Sequence, residues 1–294
     1  MLTHHQPNGE VPSRVVVLGG QGFIGSALLA ALARSGVPTV APRRPDLDLA
    51  ADGAGARLAA LLRPSDSVVF LAAVTPDKGR GLGPFLDNVR MGVAVCTAFQ
   101  AVTPAHVVYL SSDAVYPMDV GLVGERSCAQ PADLYGTMHL AREVMVKTTT
   151  PAPVAVLRPT LVYGAADTHN SYGPNRLRRM ARKDGRMTLF GGGEETRDHI
   201  AVDDVVGLVL RVLHHRSAGI LNLATGRSVS YAELAEKIAA LFDPRPEVVH
   251  APRQVPVTHR HFDVSALHRA FPSFVFTRLE EGLALAHRCM LEQG

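Results

Sequence analysis

The sequence predicts an α/β chain: a doubly wound, parallel sheet with a smaller C-terminal lobe. Three observations carry that expectation. Short apolar runs alternate with helical patterns, as in successive βαβ units. The run Val68-Val69-Phe70-Leu71-Ala72-Ala73 is apolar throughout, as in a strand covered on both faces. The run Val15-Val16-Val17-Leu18 leads straight into a glycine turn and then an amphipathic helix.

That first turn organises the rest. Gly19, Gly22 and Gly25 have the spacing G-x-x-G-x-x-G. The first glycine permits the sharp exit from the strand. The second lets backbone approach a pyrophosphate, and the third lets the helix pack close to the sheet. The unpaired N–H groups of the helix start then face an anion. Strand before and helix after are both in place, so the turn reads as a dinucleotide site.

The elements follow in order. The first helix covers 22–35, with Gly36 as its stop. A second strand falls near 38–41, and a third covers 68–73. A long helix spans 85–102 and a buried strand 107–111. A helix over 133–147 precedes a strand at 154–157 that closes on Arg158-Pro159. Regularity then changes: 164–174 reads as loop, 175–183 as helix and Gly191-Gly192-Gly193 as a turn. A helix at 203–214 and a strand at 220–223 follow. Ser230-Tyr231-Ala232-Glu233 is a capping box that opens a helix to about 242. The division expected is a flexible tail over 1–13, a dinucleotide-binding unit of 14–163 with 200–225, and a smaller substrate-binding lobe of 164–199 with 226–294.

With 294 residues and 47% hydrophobic composition the chain can bury a large core. No run approaches a membrane span. The polar segment 1–13 lacks the apolar core of a secretory signal, and His4 and His5 read as solvated. Cys96, Cys128 and Cys289 show neither metal spacing nor a disulfide framework, which suits a reducing, cytoplasmic compartment. A net charge of +3 is too small to imply nucleic acid. Arg176, Arg178, Arg179, Arg182, Lys183 and Arg186 form a basic cluster, read either as a solvated face or as a rim that attracts an anionic substrate. His169, His199, His214 and His215 lack a ligand-like grouping, so no metal is expected. The oligomer is left open, a homodimer included.

Ser111-Ser112-Asp113-Ala114-Val115-Tyr116 follows a buried strand, where open α/β sheets bind ligands. Tyr135-Gly136-Thr137-Met138-His139 opens the next helix. With these segments and GGQGFIG, FLAA, LRPTLVYG, RDHIAVDDV and LNLATGRSVSYAELA, the chain resembles the extended short-chain dehydrogenase/reductase superfamily. Its members are NAD(P)-dependent nucleotide-sugar epimerases, dehydratases and reductases. The resemblance runs from Val15 to about Phe242 and is specific for the superfamily, not for one reaction.

The resemblance implies a Rossmann-like fold and a set of roles. Ser112 and Tyr135 match the catalytic Ser/Thr and the Tyr of a Tyr-x-x-x-Lys pair. The tyrosine would exchange a proton with a sugar hydroxyl while the serine orients that oxygen. The lysine position is His139, which is largely neutral at pH 7. Gly19, Gly22, Phe23, Ile24 and Gly25 would hold the pyrophosphate. Leu71, Ala72 and Ala73 would lie beneath the nicotinamide ribose, with Ser111, Pro159, Tyr135 and His139 also at the cofactor. Asp48 and Leu49 match an adenine-contacting turn. Where an acid reading the ribose is expected, this chain has Arg43 and Arg44, which suit a 2′-phosphate and favour NADP over NAD. Arg197 matches a diphosphate clamp, and Thr75, Asp113 and Asn175 are further substrate candidates alongside Ser112 and Tyr135.

The reading is therefore an epimerase or 4-keto reductase acting on a nucleotide-activated sugar. A dehydratase fits less well, because Ala114 stands where such relatives carry an acid after Asp113. The alternative is a weak or inactive dinucleotide-binding, redox-sensing protein on the same fold, which His139 feeds.

Overall fold

A computed structural model describes residues 2–167 and 173–292 of the chain. Its main sheet has seven strands in the order Thr3–His4, Ser217–Leu223, Val154–Pro159, His106–Leu110, Ser67–Phe70, Val15–Leu18, Thr39–Val40. All neighbours pair in parallel except the first, which is antiparallel. The chain leaves Val15–Leu18 for Thr39–Val40 on one side and then crosses to Ser67–Phe70 on the other. The glycine turn therefore lies at a topological switch point, where the crevice for a ligand opens.

Alternation along the strands divides the core between two faces. Val15, Val17, Val69, Val108 and Leu157 point to one face, and helices α1 (Phe23–Arg34) and Val202–His214 cover it. Val16, Leu18, Val68, Phe70, Val107 and Tyr109 point to the other. There α2 (Ala54–Leu61), α3 (Leu82–Ala101) and α4 (Leu134–Thr149) pack. Burial on both faces is why these strands are rich in valine and other apolar residues.

A third cluster lies beyond the sheet. Tyr163, Leu177, Leu189, Leu234, Ile238 and Leu283 bury one another. Around them stand the helices Pro174–Asp184, Tyr231–Ala239 and Leu279–Glu292. The strand pair Arg186–Phe190 with Glu247–Ala251 and the three-stranded sheet of Ser228–Ser230, Thr196–Ala201 and Leu161–Tyr163 complete this region. Ser230 caps its helix as expected, accepting from the Glu233 N–H at 3.0 Å, while the Glu233 carboxylate pairs with Lys237, and the helix ends at Ala239 rather than 242.

The N-terminal segment differs from the flexible tail expected of it. Thr3 and His4 pair with Ala218 and Ser217. The His4 ring is held 2.8 Å from the Ser217 hydroxyl and 3.0 Å from the Ala270 carbonyl. The cause is the edge strand Ser217–Leu223, whose backbone groups need a partner on its open side. Among the described residues no helix is long and apolar enough to cross a membrane.

Candidate active site

The glycine turn has the shape of an anion cradle. Gly19 takes φ +96°, and a Cβ there would lie 2.6 Å from the Ala72 nitrogen. A Cβ on Gly25 would lie 2.2 Å from the Gly19 carbonyl oxygen. Neither position admits a side chain. Gly22 is different: it is exposed, and a Cβ there would approach only the Gly19 carbonyl, at 3.3 Å. The space beside it is open to a ligand. Gly22 also starts α1 with no side-chain cap, and α1 has no acidic residue in its first turn. This geometry fits a pyrophosphate. Phe23 is buried and Ile24 half-buried, so their backbone, not their side chains, faces the cradle.

The rim after Thr39–Val40 carries Arg43 and Arg44, both exposed. Arg44 reaches Asp48 at 3.3 Å. Asp48 also accepts from the Ala50 N–H at 3.0 Å, closing a tight turn, while Leu49 is buried in the core beneath. Leu71, Ala72 and Ala73 leave the strand Ser67–Phe70 half-buried. Asn88 clamps this segment, its amide accepting from the Val74 N–H and donating to the Val74 carbonyl at 2.8 and 2.9 Å. Pro159 ends its strand buried against Leu223.

The structure brings Ser112, Asp113 and Tyr135 together, and Gly136 explains how. A Cβ at Gly136 would sit 2.1 Å from the Ala114 carbonyl oxygen, so the start of α4 packs directly on the turn Asp113–Val115. Asp133 caps α4 through the Gly136 N–H at 2.8 Å. Ser112 caps the turn in the same way through the Ala114 N–H, at 3.1 Å. Ser111, by contrast, gives its hydroxyl to Glu143 at 2.6 Å. Glu143 is paired with Arg158 at 2.6 Å, and Arg158 donates to Tyr116 at 2.8 Å. The Ser111 side chain thus belongs to a buried network beneath the site.

His139 is buried behind Tyr135, their rings edge to face with centroids 4.6 Å apart. Its Nδ1 lies 2.8 Å from the Tyr109 hydroxyl. Burial, then the nearby Arg142, lowers the imidazole pKa to about 3, so it is neutral at any working pH. Burial likewise raises the Tyr109 phenol, so Tyr109 stays an O–H. The neutral imidazole and the phenol thus share one hydrogen bond, whose direction follows the imidazole tautomer. The imidazole Nε2 is buried with no hydrogen-bond partner among the described residues. The Tyr135 phenol is raised above its ordinary value, first by burial and then by Asp113.

Two arginines from the C-terminal half face the same place. Arg197 donates to the Thr196 and Thr258 carbonyls at 2.8 and 2.7 Å and to the Thr258 hydroxyl at 2.7 Å. Its field, with that of Arg260, acts on Asp113. It pairs with neither neighbouring acid: Asp198 accepts from Thr225 and the Arg227 N–H, and Glu195 holds Arg253. Arg260 lies outside every motif read from the sequence. It is buried, reaches the Asp113 carboxylate at 3.3 Å, and ties down the carbonyls of Asp113, Tyr116 and Pro117.

Other expected residues turn inward. Asn175 is buried, its amide oxygen accepting from the Gly164 N–H and its amide nitrogen donating to Asp167 at 2.5 Å. The basic cluster is not one solvated face, because Arg178 is buried against Gly164 and Asn175, and burial lowers its pKa to about 10. Thr75 lies half-buried beyond Ala73. Among the described residues no cluster of His, Cys, Asp and Glu could hold a metal ion; His169 and part of the 164–174 loop lie outside them.

A doubly wound, mostly parallel sheet with a glycine turn at its switch point is a Rossmann-like fold. The sequence model of the NAD dependent epimerase/dehydratase family matches residues 15–224, and the chain belongs to that family. Solved structures share its fold over nearly the whole chain. MoeE5 in complex with UDP-glucose and NAD is 26% identical, with a TM-score of 0.84 over 95% of this chain and 99% of that one. A UDP-N-acetylglucosamine 4-epimerase from Methanobrevibacter ruminantium, bound to UDP-N-acetylmuramic acid, is 22% identical with a TM-score of 0.83 over 97% and 100%. A GDP-L-fucose synthetase from Naegleria fowleri bound to NADP is 19% identical with a TM-score of 0.80 over 97% and 94%. The last two show likeness of fold.

Proposed function

We propose that this protein moves a hydride at a ring carbon of a nucleotide-activated sugar, as an epimerase or a 4-keto reductase. One observation supports the reading: Gly136 seats the first turn of α4, which carries Tyr135, against the Ala114 carbonyl in the turn that Ser112 caps. A nicotinamide, when bound, supplies or accepts the hydride. Tyr135 exchanges the proton with the sugar oxygen, and Ser112 orients that oxygen. His139 is a neutral partner for the cofactor ribose. Arg197 clamps the diphosphate, and the smaller lobe of 164–199 with 226–294 binds the substrate.

The exposed Arg43 and Arg44 support NADP, while the MoeE5 complexes contain NAD. The same complexes hold UDP-glucose and UDP-glucuronic acid, which makes UDP-hexoses the first substrates to try. The test is turnover of purified protein on such sugars, with and without added NADPH. An epimerase returns its cofactor unchanged and needs no added reductant; a reductase consumes NADPH. Cofactor binding without turnover on any nucleotide sugar would favour the alternative, a dinucleotide-binding sensor, which the uncharged His139 supports.

A further inference from the structure

A buried cation stands behind the Tyr135–His139 pair. Arg142 is fully buried and lies on their face of α4, three residues past His139 and seven past Tyr135. Its Nε and Nη2 donate to the Asn88 carbonyl, and its Nη1 donates to the Ala72 carbonyl at 2.8 Å. The guanidinium also lies over the Phe70 ring, 4.7 Å from the centroid. Among the described residues its partners are neutral oxygens, and no carboxylate pairs with it. A buried charge without a counter-ion exerts its field on whatever ionisable groups share the low-dielectric space. Here those groups are Tyr109, His139, Tyr135 and, from α3, Cys96.

The other charges around Tyr135 have the opposite sign. Asp113 follows the strand His106–Leu110, Asp133 caps α4, and Asp77 lies in the loop after Ser67–Phe70. Those three and burial all oppose ionisation of Tyr135, whereas Arg142 favours it. Arg260 and Arg197 act on Asp113, and Glu143 on Tyr109. His139 contributes no charge.

We propose that Arg142 is the positioning residue of this proton relay, holding in the core the positive charge that a lysine at position 139 would bring and so favouring the Tyr135 phenolate. The inference rests on the reading of Tyr135 as the proton carrier. It also gives the Ala72 contact a purpose. Gly19 packs against Ala72, and Ala72 holds the guanidinium, so the cofactor cradle and the fixed charge share one backbone segment.

The experiment titrates phenolate absorbance in the complex with oxidised cofactor, with the Tyr135→Phe signal subtracted. Arg142→Met should raise the Tyr135 midpoint by about one pH unit or more. Arg142→Lys should leave it near the wild-type position, and adding His139→Lys to Arg142→Met should bring it back. A midpoint that Arg142→Met leaves in place would overturn the proposal. So would an Arg142→Lys shift as large as that of Arg142→Met, or no Tyr135 signal below about pH 11 in the wild-type complex. If Arg142→Met fails to melt cooperatively, Arg142→Gln, which keeps amide donors near the Asn88 and Ala72 carbonyls and removes the charge, carries the test: a raised midpoint supports the proposal and an unmoved one overturns it. Full turnover by Tyr135→Phe would remove the functional reading instead, and the titration would still report whether Arg142 acts on Tyr135.

Discussion

The Tyr109 hydroxyl meets His139 Nδ1 at 2.8 Å inside the core, one layer behind Tyr135. Burial and the nearby Arg142 keep the imidazole neutral at the position where the family resemblance implies a lysine. The loss of charge is therefore complete, not partial as the ordinary pKa of histidine suggests. A phenol that donates a proton works without help, whereas one that accepts a proton needs a cation nearby. Oxidation of a hydroxyl should accordingly be the direction that depends on Arg142, and reduction of a ketone the one that tolerates His139.

The glycine cradle makes a paired prediction. Gly22→Asp should fold, since its Cβ would press only on the Gly19 carbonyl, at 3.3 Å, and should abolish dinucleotide binding by calorimetry. Gly25→Ala should instead lose Tm, because its Cβ would strike the Gly19 carbonyl oxygen, 2.2 Å away. Unchanged binding in Gly22→Asp would move the cofactor elsewhere.

Arg43→Ala with Arg44→Ala tests the cofactor preference. If the arginines read a 2′-phosphate, NADP should weaken by about 1.5–3 kcal/mol, the scale of hydrogen bonds to a charged group. NAD should change little. Equal weakening of both cofactors would count against the NADP reading.

Arg197→Lys should raise the apparent KM for the nucleotide sugar and leave cofactor affinity intact, since an ammonium cannot make two parallel bonds. The arginine is already braced by Thr258, so the effect should be on binding and not on fold. Loss of cofactor affinity alone would take Arg197 out of the substrate site.

Stability should depend on pH through histidines buried in the neutral form. His106 is lowered to about 4, and His139 and His199 to about 3, each first by burial. Folded pKa values lie below the unfolded value near 6.5, so their effect is absent above that pH. As pH falls from about 6.5 toward 4, the unfolded chain binds protons that the folded chain refuses, and stability is lost. Each should cost about 2 kcal/mol at pH 5. Half-buried Asp113 and buried Asp198 and Asp204 are raised and act in the opposite sense. The histidine share is therefore read by difference: denaturation of His106→Asn or His199→Asn should show a shallower loss between pH 7 and 5 than wild type. A parallel loss in wild type and variants would contradict it.

The doubly wound core was legible because its signals are local. Val15–Leu18 and His106–Leu110 are apolar runs, and Ser230 caps its helix through a neighbour three residues on. The helix Ala54–Leu61 was not legible: it is alanine-rich, follows a left-handed Gly53 and has no side-chain cap. The strand pair Arg186–Phe190 and Glu247–Ala251 depends on a partner distant in sequence. The site divides in the same way. Ser112 and Tyr135 stand in motifs. Arg260 reaches Asp113 across 147 residues, with no pattern to announce it. Arg142 could have been suspected from its helix face, but an arginine on an amphipathic helix ordinarily reads as solvated.

The measurement that bears most directly on the account is single-turnover formation of reduced nicotinamide when the oxidised-cofactor complex meets a UDP-hexose. Wild type should show it and Tyr135→Phe should not, with equal cofactor affinity in both. Undiminished formation in Tyr135→Phe would contradict the central claim that Tyr135 carries the proton.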